Sequence, residues 1–124
     1  MNIADLQAIC SLPVAFREHG VGWRQLVLSS PYPNNAAALD EAQLAAFLGA
    51  QPDLIDLWLA WSEDKRCSSG WFFRRSGFNY ELGFLAHVGS PSSPEVFDEP
   101  TVPCARFILY ELEDTAGAAR SEAK

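Results

Sequence analysis

The sequence has little of what catalytic, metal-binding or membrane-spanning proteins usually carry. Its 124 residues include two histidines and three cysteines, and the cysteines are too far apart for a CxxC pair or another metal-ligand spacing. The apolar runs are only a few residues long, whereas a membrane-spanning helix needs about 20 apolar residues. The N-terminus lacks the basic segment of a signal peptide. Because scattered cysteines are typical of a reducing compartment, we expect a cytoplasmic protein that does not enter a membrane.

Basic residues are scarce as well. Nine Lys and Arg stand against 16 Asp and Glu, which gives a net charge of -7. This excess of acid disfavours binding to nucleic acid, since both surfaces would be negative. It favours either a surface that is merely soluble or a protein partner that is itself basic.

What is present is an ordinary globular composition, with 48% hydrophobic and 20% charged residues. A chain of this length can bury a real core without disulfide or metal staples. We therefore expect a single domain over residues 1–115, followed by a frayed tail over 116–124.

Two segments carry strong helix signals, at about 41–48 and 53–66. Asp40 and Gln43 have capping-box spacing ahead of the first helix, and Pro52 suits the first turn of the second. Apolar residues recur at helical spacing as Leu44, Phe47 and Leu48 in the first helix and as Leu54, Leu57, Trp58 and Trp61 in the second.

The N-terminal third gives weaker signals. Residues 3–10 and 13–20 are predicted to form short helices, the second ended by a glycine. Residues 23–30 suit either a strand or a helical turn. Residues 31–35 hold two prolines and two asparagines, which predicts a loop.

An aromatic β-hairpin is predicted over 71–75 and 78–87, with its turn at Ser76 and Gly77. The expected pairs are Arg75 with Phe78, Arg74 with Asn79, Phe73 with Tyr80 and Phe72 with Glu81. One face then carries Trp71, Phe73, Phe78, Tyr80, Leu82 and Phe84. We expect this face to lie on the helix at 53–66, which carries Trp58 and Trp61.

The remaining segments complete an α+β fold. Residues 89–103 include four prolines and predict a loop, and residues 104–112 predict a strand that joins the sheet. The expected architecture is three or four short helices packed on a small antiparallel sheet.

The residues that could carry catalysis have simpler roles. His19 lies near a predicted helix C-terminus, where its charge suits the helix dipole, and His87 lies at a strand end. Cys67 follows a helix C-terminus, a position that raises the pKa of a thiol and makes it a poor nucleophile. We expect no catalytic residue, no metal site and no cofactor.

A basic cluster stands out in this acidic chain: Lys65, Arg66, Arg74 and Arg75. If the helix end and the hairpin lie close together, these residues could bind a phosphate or a carboxylate. Alternatively, neighbouring acidic residues neutralise them, as is common for exposed charges. No glycine-rich phosphate loop accompanies the cluster.

Acidic residues are spread along the whole chain, and those predicted to bind a partner are Glu63, Asp64, Asp98 and Glu99. Charge complementarity with a cationic partner would accelerate association. In size, acidity and cysteine usage, and in the general character of WLAWSEDKRCSSGWFF, the chain resembles bacterial immunity proteins of polymorphic or contact-dependent toxin systems. The resemblance implies one cognate toxin partner, inhibition by occlusion and no enzyme activity.

Two alternatives stay open at this stage. One is a small-molecule or anion-binding domain that uses the basic cluster, and the other is a structural or adaptor protein of a phage or secretion system. The oligomeric state is open between a monomer and a homodimer, since an exposed Phe72 could mark a dimer edge.

Overall fold

The computed structural model describes residues 2–20, 22–64, 70–85 and 94–122. In this part of the chain, seven helices pack on a three-stranded antiparallel sheet of order β1-β2-β3, which confirms the α+β class. The elements in chain order are α1 (Ile3–Cys10), α2 (Leu12–His19), α3 (Trp23–Ser29), α4 (Tyr32–Asn35), α5 (Glu41–Ala50), α6 (Pro52–Asp64), β1 (Gly70–Ser76), β2 (Asn79–Leu85), β3 (Glu95–Phe97) and α7 (Thr101–Glu122).

The longest helix, α7, is the element on which the helices and the sheet meet. It contacts α3, α5 and α6 as well as β1 and β2. The buried ring of Phe107 lies 6.1 Å from Trp58 of α6 and 6.0 Å from Phe73 of β1, and Tyr110 stacks on Trp71 at 4.0 Å. The hairpin contacts α6, as the sequence predicts, and its aromatic face also packs on α7, which the sequence analysis did not predict.

The prediction of a strand at 104–112 is wrong, because this segment lies inside α7. Its Phe, Ile, Leu and Tyr content favours a strand locally. Two start signals favour a helix: Pro103 lies in the first turn, and Glu99 accepts hydrogen bonds from the backbone N–H groups of Thr101 (2.6 Å) and Val102 (3.1 Å). The buried positions also follow the helical period: Cys104, Ala105, Phe107, Ile108, Glu111 and Leu112.

The segment predicted as a frayed tail, 116–124, is helical as far as Glu122. Ala116 is only 1% exposed, so its methyl group belongs to the core. The helix continues because the apolar stripe of α7 is still packed on the core at this residue.

The N-terminal helices at 3–10 and 13–20 are confirmed, and the ambiguous segment at 23–30 is helix α3. Gly20 ends α2 with φ of 62°, a conformation that a glycine adopts at little cost. Tertiary packing decides the ambiguous case, since Val27 of α3 is fully buried.

The predicted loop at 31–35 is instead the short helix α4. Pro33 falls in its first turn, where a missing N–H group costs little. Tyr32 is buried, and its hydroxyl donates a hydrogen bond to Glu113 of α7 at 2.7 Å. This contact holds α4 against α7. Because it joins residues far apart in the chain, no local sequence pattern predicts it.

Both strong helices are confirmed. The first extends beyond the predicted 41–48 to Ala50, and Asp40 caps it by accepting from the Gln43 N–H at 2.6 Å. The second begins at Pro52, and its predicted last residues, 65 and 66, lie outside the described residues. Trp58 is fully buried, and its indole N–H donates to the backbone carbonyl of Cys10 at 2.9 Å.

The hairpin is confirmed, but its register differs from the prediction by two residues. Ser76 pairs with Asn79, so the loop is Gly77-Phe78 and not Ser76-Gly77. Gly77 has φ of 61°, and no described residue other than glycine has positive φ. A positive φ at the first loop position only is the pattern of a type II′ turn, which glycine adopts without the strain that Ser76 would suffer. Because the shift is even, all predicted face assignments except that of Phe78 are retained.

A third strand, β3, occurs within the predicted loop at 89–103, of which 94–103 is described. It is held by Arg106 of α7, which bonds to Glu95 at 3.0 Å and to Glu41 of α5 at 2.7 Å. The same guanidinium lies 5.5 Å from the ring of Phe97. The hydrogen bond with Glu41 raises the pKa of Arg106 above its ordinary value. The guanidinium that links α5, α7 and β3 therefore stays charged.

Candidate functional site

An open depression of about 340 Å³ lies where α6 meets β1. Its lining residues are Asp56, Leu59 and Glu63 of α6 and Arg74 and Arg75 of β1. The sequence predicts a partner-binding role for Glu63 and an anion-binding role for the two arginines. The depression thus brings together residues that were assigned to two different sites.

Helix α6 lines this depression because it covers the free edge of β1. The two-residue loop makes Ser76 and Asn79 a hydrogen-bonded pair, so Phe73, three residues away, falls in a non-hydrogen-bonded pair and its N–H points away from β2. That N–H donates to the hydroxyl of Ser62 at 2.8 Å, and Ser62 is only 3% exposed. This hydrogen bond holds α6 against the free edge of β1.

The outward face of α6 carries an acidic stripe, formed by Asp53, Asp56 and Glu63. All three residues are exposed, whereas Leu54 and Trp58 on the other face are buried. At 100° per residue the three acidic positions lie within about 80° of one another. Their shared direction follows from helical geometry and from burial of the opposite face.

The side chain of Asp64 lies outside the described part of the structure, as do Lys65 and Arg66. The predicted basic cluster is therefore described only at Arg74 and Arg75.

The two described arginines both have neighbours within the sheet. Arg74 donates from Nε to Glu81 at 2.6 Å, directly across the strand pair, and its guanidinium lies 5.0 Å from the ring of Phe72. Arg75 lies 5.5 Å from the ring of Tyr80. An anion in the depression would also meet the carboxylates of Asp56 and Glu63. This arrangement favours mutual neutralisation over an anion-binding role.

Phe78 projects from the tip of the hairpin and is 99% exposed. The flanking residues Ser76, Gly77 and Asn79 are exposed as well. Sequence reasoning placed Phe78 on the packed face, because it put the glycine at the second loop position. Recognising that glycine takes the first position of this turn would have identified the exposed aromatic.

Asp98 and Glu99, the other predicted partner-binding residues, lie away from the acidic stripe. They follow β3, whereas α6 covers β1, and β2 separates these two strands. Asp98 is exposed, but the carboxylate of Glu99 is engaged at the start of α7. The four predicted residues therefore do not form one patch.

Two of the cysteines have thiols that burial makes unreactive. Cys10 and Cys104 are both free and fully buried. Burial raises the pKa of Cys10 to about 12, and burial together with the proximity of Cys10 raises the pKa of Cys104 as well. Both are protonated at neutral pH and have the character of small core residues. Cys67 and His87, which the sequence also offered, lie outside the described residues.

Within the described ranges, no three His, Cys, Asp or Glu side chains converge on a point where a metal ion could bind. No helix in those ranges combines the length and the apolar character that a membrane span requires. Comparison with known proteins gives no match to any protein-family model, curated protein or solved structure.

Proposed function

We propose that this protein is a non-enzymatic binding protein that occludes a basic partner with an acidic surface, in the manner of bacterial immunity proteins that neutralise a cognate toxin. The observation that carries the proposal is the acidic stripe of Asp53, Asp56 and Glu63 on the outward face of α6. The net charge of -7 supports it, because a negative surface attracts a cationic partner over long range.

The acidic stripe is rigidly presented, which favours a binding role. Leu54, Ile55 and Trp58 anchor the opposite face of α6 in the core, and Ser62 ties the helix to β1. A surface that is already ordered loses little conformational entropy on association. The carboxylates can therefore contact a partner without rearrangement of the fold.

A two-step experiment tests this function. The tagged protein is first used to capture its partner from the native lysate, and the captured protein is identified. The partner is then expressed in a bacterial host with and without the present chain. We expect a basic protein whose association weakens with salt, that arrests growth when expressed alone and that is tolerated when both proteins are present.

The contribution of the acidic stripe is tested by Asp56→Lys/Glu63→Lys. We expect this variant to bind the partner about tenfold more weakly or worse and to restore growth poorly. Glu18→Lys, at an exposed position on α2, is the control for a change in net charge; it is compared with Asp56→Lys alone, because both single changes alter the net charge equally. Asp98→Lys tests the second predicted acidic position. Unchanged affinity in the double variant, or a captured partner that does not affect growth, would count against the proposal.

A further inference from the structure

We propose that the hairpin tip is a self-association site, at which Phe78 of each copy enters the depression of a second copy of this chain. This inference goes beyond the proposed function and does not depend on it. It rests on the exposed aromatic, the neighbouring depression and the arrangement of charges between them.

The exposure of Phe78 has no explanation within one copy. A phenyl ring that is 99% exposed contributes nothing to the core, and the loop conformation requires glycine at position 77 only. Single exposed apolar residues are common on protein surfaces, but a fully exposed aromatic at the end of a rigid hairpin is well placed to anchor an interface. The tip is already ordered by the paired strands β1 and β2, so docking immobilises little additional chain.

The depression offers a place for such a ring. Leu59 provides an apolar wall, and a volume of about 340 Å³ is at the lower end of the range for sites that hold small ligands. One phenyl ring is smaller than such a ligand. The depression begins at Arg74 and Arg75, only a few residues before Phe78 along the hairpin.

The depression is lined by acidic residues on one side and by basic residues on the other. Asp56 and Glu63 line its α6 side, and Arg74 and Arg75 line its β1 side. In a two-fold dimer the same patch on both copies makes the interface, so residue i of one copy contacts residue j of the other and the reverse. Such an arrangement sets the carboxylates of each α6 opposite Arg75 of the other copy, while Arg74 keeps its ion pair with Glu81. The patch carries both signs of charge, so it is complementary to a second copy of itself.

Self-association and the proposed binding of a basic partner use the same side of α6. The two are therefore alternatives: a partner that covers Asp56 and Glu63 must displace the second copy. Net charge opposes the dimer at low ionic strength, and salt screening relieves this repulsion at physiological ionic strength.

Sedimentation equilibrium of the purified chain, from micromolar to millimolar concentration, tests the dimer directly. We expect a reversible monomer–dimer equilibrium, and we expect Phe78→Ser to weaken it about tenfold or more. Val96→Ser is the matched control, because Val96 is also exposed, at 60%, but lies on the outer face of the sheet. A wild-type chain that is monomeric throughout, or a dimer that Phe78→Ser leaves intact, would overturn the proposal.

A charge exchange distinguishes contacts between copies from effects within one copy. Asp56→Arg/Glu63→Arg makes the patch wholly basic, and Arg75→Glu places a negative charge on its β1 side while keeping the ion pair of Arg74 with Glu81. Each variant alone should associate more weakly than wild type, and a mixture of the two should recover association, because both junctions of the mixed dimer are complementary. Circular dichroism confirms that both variants are folded. A mixture that associates no better than its components rules out the two-fold arrangement.

Discussion

At position 83, a hydrogen atom in place of a methyl group decides how closely Phe72 packs on the outer face of the sheet. Gly83 lies opposite Phe72 in the strand pair, and a Cβ atom there would lie 2.6 Å and 2.8 Å from two carbons of the Phe72 ring. It would also lie 3.3 Å from Cβ of Pro94. The aromatic ring therefore covers the backbone of β2 only because residue 83 has no side chain.

We predict that Gly83→Ala lowers the free energy of unfolding by about 1–3 kcal/mol, as overpacking does in a close-packed region. The measurement is urea denaturation followed by tryptophan fluorescence. Gly49→Ala is the control, since its added Cβ would lie 3.7 Å from Cγ2 of Thr101, which is an ordinary van der Waals contact. In a Phe72→Ala background the penalty should shrink, and an unchanged penalty there would contradict a clash with the ring.

At the scale of elements, α7 depends on a cap that the sequence analysis assigned to partner binding. The carboxylate of Glu99 accepts hydrogen bonds from the N–H groups of Thr101 and Val102 and from the hydroxyl of Thr101. Negative charge at this end also favours the helix dipole. Capping of α7 therefore explains why a carboxylate stands at position 99, without a role in partner binding.

We predict that Glu99→Ala lowers the free energy of unfolding by about 1–2 kcal/mol, the usual cost of losing a helix cap. Asp98→Ala, a change at the adjacent exposed carboxylate, should cost much less. Thermal unfolding of the two variants side by side gives the comparison. Equal losses would mean that general charge near the helix, and not the hydrogen bonds of Glu99, stabilises α7.

The elements that sequence analysis identified correctly are those with a local signal. The cap residue Asp40 predicts the start of α5, and Pro52 predicts the start of α6. The alternating aromatic residues predict the hairpin. The segment at 104–112 was misassigned because β-favouring residues outweighed the cap at Glu99 and the early Pro103. Its period is helical, and a count of buried-type residues at three- and four-residue spacing would have favoured α7.

The candidate site was only partly accessible from sequence, for a physical reason. The sequence analysis selected Glu63 together with its neighbour Asp64, and the shared direction of Asp53, Asp56 and Glu63 follows from the helical period of α6. The depression requires α6 to lie along the edge of β1, a contact made by Ser62 and Phe73 across 11 residues. The exposure of Phe78 follows from the turn register, which depends on which loop residue takes positive φ.

For the whole molecule, the buried thiols make stability depend on alkaline pH. Burial raises the pKa of Cys10 from its ordinary 9.0 to about 12, and it also raises the pKa of Cys104. Above about pH 9 the unfolded chain loses these protons while the folded chain keeps them. The folded state then binds more protons than the unfolded state, so stability is full below about pH 9 and falls as pH rises.

We predict that the free energy of unfolding falls between about pH 9 and pH 10.5 by as much as ~1.4 kcal/mol per pH unit for each buried thiol. Urea denaturation across this range measures the slope. Cys104→Ala lacks one of the two thiols and should show a shallower decline, even if its stability at neutral pH is lower. Parallel slopes for wild type and Cys104→Ala would show that other groups control the alkaline transition.

The hydrogen bond from the Phe73 N–H to Ser62 also bears on aggregation. A free edge of an aromatic strand is a template for adding strands from other molecules, and β1 reads GWFFRRS. With α6 over β1, that edge is closed, and the opposite edge of the sheet is β3, which has three residues. We therefore expect the resistance of the protein to fibril formation to depend on how seldom α6 separates from β1.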